Sequence, residues 1–271
     1  MDRATRMRRS FVDSIIQHGG WSLPTTLLER MRDFGNYALG AGAASLPIEQ
    51  SGEAAFLKRL AALWADDDEA MIVDVGAHYG NYARAALAAF GGRARIECFE
   101  PDPANYEALT DSLGTTARCH PLGLSDTPGT ARLFANDKNC PSLHSDIFTD
   151  TGFPATHSTE VEVDTLDRVM ERLEIGRVDL LKLDVEGHEL AVLRGAAGLL
   201  AEGRVRVIQF EFGECNIASR TYLRDFRDLL PDHRLFRISP RGLRPLDYGP
   251  NSEVFLLETN YVAAHPVTGL T

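Results

Sequence analysis

A chain of 271 residues, 44% hydrophobic and 25% charged, has the make-up of one globular domain, or one domain with an appendage, and can bury a sizeable core. Its formal net charge of −11 argues against a broad surface for a phosphate backbone and favours a small or neutral substrate. Cys98, Cys119, Cys140 and Cys215 contain no Cys-x-x-Cys pair, so no zinc knuckle or disulfide framework can be read, and reduced cytosolic thiols are expected. No segment approaches the ~18 apolar residues of a membrane span. The expected setting is cytoplasmic, with neither nucleic acid nor membrane as partner.

In chain order, MDRATRMRRSFVDSIIQHGG carries four arginines, as a targeting peptide does, but no long apolar run follows and a basic helix start is expected. PTTLLERMRDFGNYAL opens on Pro24 and Thr25 and puts Leu27, Leu28, Met31 and Phe34 on one helical face. SGEAAFLKRLAALWADDDE repeats the pattern with Phe56, Leu57, Leu60, Leu63 and Trp64, until the acidic run Asp66 to Glu69 breaks it. Residues 1–68 are therefore expected to form a helical extension, serving as a substrate cap or a homodimer contact, and residues 69–271 the main domain.

From Met71 short apolar strands alternate with helices. Strands are predicted at 71–75, 94–99, 116–120, 130–134, 159–163, 178–183, 205–211, 234–238 and 253–258, and helices at 80–90, 103–112, 165–173, 188–200 and 219–230. MIVDV, VDLLKLD and VRVIQFEF are nearly continuous apolar runs, as central parallel strands covered on both faces require. Alternating βαβ units imply a doubly wound sheet with right-handed crossovers. Asn136 to Glu160 is long, polar and irregular, a candidate lid or binding loop.

In an open parallel sheet, ligands sit beyond the carboxyl ends of the strands. Asp74 stands there, and Gly76 to Gly80 turn the chain into a helix whose first N–H groups are free. The spacing Asp-x-Gly-x-x-x-Gly departs from the dinucleotide fingerprint Gly-x-Gly-x-x-Gly, and a carboxylate beside it would repel a pyrophosphate. It suits a ligand with a cationic centre and an ammonium group, and S-adenosylmethionine has both. Glu100 ends the second strand, 20 residues after Gly80, where a carboxylate can accept hydrogen bonds from ribose hydroxyls.

DLLKLDVEGHELAVLRGA, Asp179 to Ala196, resembles the fourth-strand signature of the FkbM-like methyltransferases, as do DVGAHYGNYA, FEPDPANYEAL, PLGLSD, VDTLD and IQFEF in their order. The resemblance covers about Met71 to Glu258. It implies a class I methyltransferase (Rossmann-like) fold, a doubly wound and mostly parallel seven-stranded sheet. It also implies S-adenosylmethionine as cofactor, with S-adenosylhomocysteine as product, and usually O-methylation of a hydroxyl on a sugar or natural product. His78 departs from the family, whose members commonly carry Asn in this loop. Carried over by the resemblance, Asp74, Gly76, His78 and Gly80 line the methionine end of the cofactor, and Glu100 holds the ribose. Pro101 and Asp102 shape that turn. Leu122, Gly123, Leu124 and Ser125 flank the adenine, while Asp184 and Glu186 face the transferring methyl.

Methyl transfer from a sulfonium is an in-line displacement, and a positioned base that takes the acceptor's proton contributes typically ~10²–10⁴-fold. LDVEGHE offers Asp184, Glu186, His188 and Glu189. Of these Glu189 is expected to serve the first helical turn, where the dipole favours an acid. Glu211 lies at the carboxyl end of the fifth strand, across the cleft from Asp184. Asp184, Glu186 and Glu211 would suit a divalent metal through oxygen ligands, though nothing in the sequence calls for one. Ser142 and His144 resemble a family segment near the substrate; Ser142 would bond a substrate oxygen and His144 is a further candidate base. His157 is expected to be solvated. The acceptor is expected to be a small molecule with a hydroxyl. N-methylation of an amine or peptide remains an alternative. A nicotinamide oxidoreductase is disfavoured by the glycine spacing and by the lack of a Tyr-x-x-x-Lys pair after the fourth strand.

Overall fold

The computed structural model describes residues 24–66, 69–136, 141–150, 154–255 and 257–270. The basic stretch before Trp21, Asp67 and Asp68 of the acidic run, and Cys140 lie outside the described residues. The chain opens with α1 (Thr25–Ala38), α2 (Ile48–Ser51) and α3 (Glu53–Leu63). There follow β1 (Ala70–Val75), α4 (Asn81–Phe90), β2 (Ala94–Phe99), α5 (Pro103–Leu113), β3 (Arg118–His120), β4 (Gly123–Leu124) and β5 (Gly129–Ala135). Next come α6 (Ser145–Asp150), β6 (His157–Asp164), α7 (Leu166–Arg172), β7 (Val178–Leu183), α8 (Glu189–Arg194) and α9 (Ala197–Ala201). The remainder is β8 (Val205–Phe212), α10 (Cys215–Ser219), α11 (Leu223–Leu229), β9 (Arg234–Arg237), β10 (Arg244–Pro245) and β11 (Thr259–Ala264).

The main sheet runs β10-β9-β11-β8-β7-β1-β2-β3, with β3, β2, β1, β7 and β8 mutually parallel and β11 antiparallel between β8 and β9. It has eight strands where seven were expected; the extra one is the two-residue β10, which pairs antiparallel with β9 at the edge. A second, three-stranded sheet, β4-β6-β5, stands beside it. The doubly wound, Rossmann-like order reverses between β1 and β7, and the carboxyl ends of those two strands form the switch point.

Strand alternation divides the core. Val73, Val75, Leu181, Leu183, Ile208 and Phe210 pack on one face with Leu166, Leu190, Leu193 and Phe226 from α7, α8 and α11. On the other face Ile72, Leu180 and Val207 meet Phe56, Leu57 and Leu60 of α3 and Ala83, Ala86 and Phe90 of α4. Fully burying one such side chain contributes ~1.5–3 kcal/mol. By the same alternation Asp74, Lys182 and Gln209 fall on the α3/α4 face, level with one another in register. In α1 the face formed by Leu27, Leu28, Met31 and Phe34 is exposed, Phe34 by 72%. No helix among the described residues is long and apolar enough to cross a membrane.

Three expectations are corrected. The final strand is Thr259–Ala264, not 253–258: the Glu253 carboxylate caps α11 by accepting the N–H groups of Leu223 and Arg224, and Phe255 packs on Phe212. The helix predicted at 188–200 is broken into α8 and α9 at Gly195, where a Cβ would lie 2.0 Å from the Ser125 carbonyl oxygen. The irregular stretch 136–160 holds structure of its own: Ser142 bridges to Phe134 through both backbone bonds, α6 follows, and β6 begins at an exposed His157.

Candidate active site

The turn after β1 is built by close backbone approach. Gly76 has φ 77°, and a Cβ there would sit 1.8 Å from the Asp184 carbonyl oxygen, so no larger residue fits. Gly80, also at φ 77°, starts α4. Between them His78 occupies the left-handed region at φ 49°, a conformation that Asn and His adopt more readily than most residues. This turns its N–H onto Glu100 Oε2 at 2.8 Å. The other Glu100 oxygen accepts the Asp102 N–H at 3.0 Å, and Asp102 caps α5 through the N–H groups of Ala104 and Asn105. Glu100 is 5% exposed, and burial pushes its carboxyl up to about 7. Asp74 is 1% exposed and its Oδ2 has no hydrogen-bond partner. Burial raises this acid to about 7 as well. A buried carboxylate oxygen without a donor requires one from a ligand or a proton.

At the end of β7, Lys182 Nζ bonds Asp184 Oδ2 at 2.8 Å. Burial would raise the Asp184 carboxyl, but the Lys182 ammonium together with a hydrogen bond from Glu211 outweighs it and holds the acid below its ordinary range. Asp184, Glu186 and Glu211 place ligand atoms within 4.8 Å of one another. That oxygen set could hold a hard divalent cation, though Lys182 already supplies one positive charge there. Glu186 has φ 52°, and Cys215 Sγ donates to its Oε2 at 3.0 Å. Burial and then the neighbouring Asp184 push Glu186 up to about 8, and the same two causes raise Glu211 well above its ordinary value. Glu189 stands in the first turn of α8, as expected, and also folds the loop: its Oε1 accepts the N–H groups of Val185 and Gly187.

Ser142 and His144 meet this loop from the opposite side. Ser142 Oγ donates to the Glu186 carbonyl at 2.9 Å and accepts the His144 N–H at 3.1 Å. His144 Nε2 lies 3.3 Å from His188 Nδ1, and His188 Nε2 lies 2.9 Å from Ser125 Oγ. Burial, followed by His144, lowers the His188 imidazole to about 4, and burial also lowers His144. Both rings are therefore neutral near pH 7 and act as uncharged hydrogen-bonding groups.

Two clefts meet over the switch point. The first, about 260 Å³, is lined at one end by Phe99, Glu100, Pro101, Leu122, Gly123 and Leu124, and at the other by Asp184, Glu186, His188, Glu211, Glu258 and Leu143. The second, about 640 Å³, runs over Asp74, Tyr82, Lys182 and Glu53. Gly76, His78 and Asp184 line both. Most of the residues singled out from sequence thus converge. Gly80, Asp102, Ser125, Ser142 and His144 support the lining rather than forming it; Pro141 and Leu143 reach the first cleft on either side of Ser142. Sequence reasoning missed Lys182, Glu53, Tyr82 and Glu258. A lysine within the buried run VDLLKL was a readable signal, since a buried charge needs a partner. Glu258 offered none.

Residues 74–238 match the family described as the methyltransferase FkbM domain. The 2-O-methyltransferase NoeI of Sinorhizobium fredii is 26% identical over 187 residues, covering 64% of this chain and 76% of that protein. The hexuronic acid methyltransferase AglP of Haloferax volcanii is 25% identical over 153 residues, 55% of this chain and 59% of that protein. Among solved structures, a methyltransferase FkbM from Methylobacillus flagellatus aligns with a TM-score of 0.45 at 17% identity, over 72% of this chain and 44% of that one.

Proposed function

The chain belongs to the methyltransferase FkbM domain family, and from that premise we propose that it uses S-adenosylmethionine to O-methylate a small polyhydroxylated acceptor, a sugar or a sugar-like natural product. The observation that carries the cofactor is Asp74 Oδ2, buried at the end of β1 without a donor, beside a loop whose His78 N–H is held by Glu100 at the end of β2. The Asp74 carboxylate would take the ammonium of the cofactor, and Glu100, which accepts two backbone N–H groups and the Asn105 side chain and keeps acceptor capacity beyond them, would take the ribose hydroxyls. Phe99, Leu122 and Leu124 give an apolar wall for the adenine. When bound, S-adenosylmethionine supplies an electrophilic methyl group on a sulfonium.

The residues at the other end of the first cleft handle the acceptor. Glu186 is the base: with its carboxyl raised to about 8, it binds a proton strongly enough to draw one from a positioned hydroxyl. Asp184, kept ionised by Lys182, faces the same space and favours developing positive charge. His188, His144 and Ser142 hold the Glu186 loop in place. The relative named as a 2-O-methyltransferase supports transfer to oxygen, and the one named as a hexuronic acid methyltransferase supports a sugar acceptor. The lining favours one without negative charge, because Asp184, Glu186, Glu211 and Glu258 face it and no Lys or Arg is among its described residues. That same acidity favours a second reading, N-methylation of an amine.

Calorimetry tests the cofactor. S-adenosylmethionine should bind the native enzyme, and Asp74→Asn and Glu100→Gln should each weaken it by about tenfold or more, the effect of losing a charge-assisted hydrogen bond. Unchanged affinity in both variants would sink the site assignment. Incubation with ¹³C-methyl cofactor and a panel of neutral sugars and amino sugars then separates the acceptors, since O-methyl and N-methyl carbons resonate apart.

A further inference from the structure

β1, β7 and β8 set Asp74, Lys182 and Gln209 in one row, with Asp74 opposite Lys182 in register. Adjacent strands are ~4.8 Å apart. Gln209 is committed: its amide oxygen accepts Tyr82 Oη at 2.7 Å, and its nitrogen donates to Glu53 at 2.6 Å and Asn260 at 3.2 Å. The other two are not. Asp74 leaves Oδ2 bare. Lys182 is 2% exposed and carries three N–H donors, of which one goes to Asp184 Oδ2; the Tyr82 ring centroid lies 5.4 Å from Nζ, and the Glu53 and Glu211 carboxyls act on it through charge. Both line the 640 Å³ cleft. Arg84, the other long cation along that cleft, is engaged by the Tyr79 carbonyl, Asn81 and Ser112. The N-terminus of the ten-residue α4 opens onto the same space at Asn81.

An acid lacking a donor and a cation with donors to spare, side by side, are complementary to a zwitterion. An α-amino acid presents its ammonium and carboxylate one carbon apart, on the scale of neighbouring strands. Resting on the reading of this site as one for S-adenosylmethionine, we propose that Lys182 binds the carboxylate of the cofactor's methionine end, so that Asp74 and Lys182 together clamp both charges of the amino acid. Lys182 then has two tasks, binding cofactor from one side and keeping Asp184 ionised on the other, which explains a lysine inside an otherwise apolar central strand.

The test compares S-adenosylmethionine with its decarboxylated analogue, which keeps the ammonium and sulfonium but lacks the carboxylate. Calorimetry on the native enzyme should show the carboxylate-bearing ligand bound about 10- to 100-fold more tightly, the range for a charge-assisted hydrogen bond. Lys182→Met should erase that preference while retaining affinity for the decarboxylated ligand, a result that also reports a folded site. Asp74→Asn should weaken both ligands alike. Lys182→Met that keeps the native preference overturns the proposal, as does a native enzyme that binds the two ligands equally, a result independent of any variant. Lys182→Gln serves where the methionine variant does not fold, with the same outcomes deciding. If the native enzyme binds neither ligand, the assignment of S-adenosylmethionine fails first.

Discussion

Glu186 holds its unusual backbone with three aids: the Gly187 that follows it, the Ser142 hydroxyl on its carbonyl and the Cys215 thiol on its carboxylate. Its high pKa makes the pH dependence specific. As the proposed base, Glu186 must be ionised, so kcat/KM should climb as pH rises through about 8 and level off above it. Glu186→Gln should remove that limb and lower kcat by about 10²–10⁴-fold, with cofactor affinity unchanged by calorimetry. A pH profile that keeps the limb would move the role to another group. Asp74 and Glu100 could be read from sequence because each is the last acid of an apolar run, where topology leaves a cleft. Lys182 escaped notice because its meaning depends on register: only strand pairing puts it beside Asp74. Glu189 was placed correctly in the chain, but its work for the Val185 and Gly187 N–H groups belongs to a loop conformation that spacing does not reveal.

The loop between β1 and α4 rests on two left-handed glycines and a left-handed histidine. Gly76→Ala must displace the Asp184 carbonyl, so it should lower the melting temperature and abolish cofactor binding. His78→Asn should leave both unchanged, since asparagine suits φ 49°, whereas His78→Val should cost about 1–3 kcal/mol of stability in denaturant unfolding. That explains how a histidine is accommodated at this position: the backbone selects for conformation. α3 is tied into the sheet by Leu57 and Leu60, both 0% exposed. Leu57→Ala should therefore cost about 2–5 kcal/mol in the same measurement. Most elements from β1 to β9 were legible because apolar runs and their flanking turns agree. β11 was not, because its TNYVAA offers only the short apolar run Tyr261 to Ala264 after two polar residues. Just before it, Glu253 caps α11 and Phe255 packs on Phe212 instead.

Across the molecule, among the described residues, buried acids raised above their ordinary range gather at the carboxyl ends of the central strands. Asp74, Glu100 and Glu189 are raised to about 7 and Glu186 to about 8. An acid whose folded pKa lies above its unfolded one stabilises the fold while protonated and withdraws that contribution as pH rises through the folded value. His188 and His144 are lowered and oppose this only below their unfolded value of about 6.5. Between about pH 6.5 and 8.5 the carboxyls dominate, and the melting temperature of the ligand-free protein should fall as pH rises. A flat or rising curve by calorimetric scan would show that these acids are already compensated. The junction of the two clefts has a kinetic consequence. Gly76, His78 and Asp184 line both, so a ligand spanning from Glu100 to Asp74 passes over them and becomes the wall against which the acceptor rests. Turnover should then follow a compulsory order, donor before acceptor, with the demethylated donor leaving last; product-inhibition kinetics should show it competitive toward the donor and non-competitive toward the acceptor.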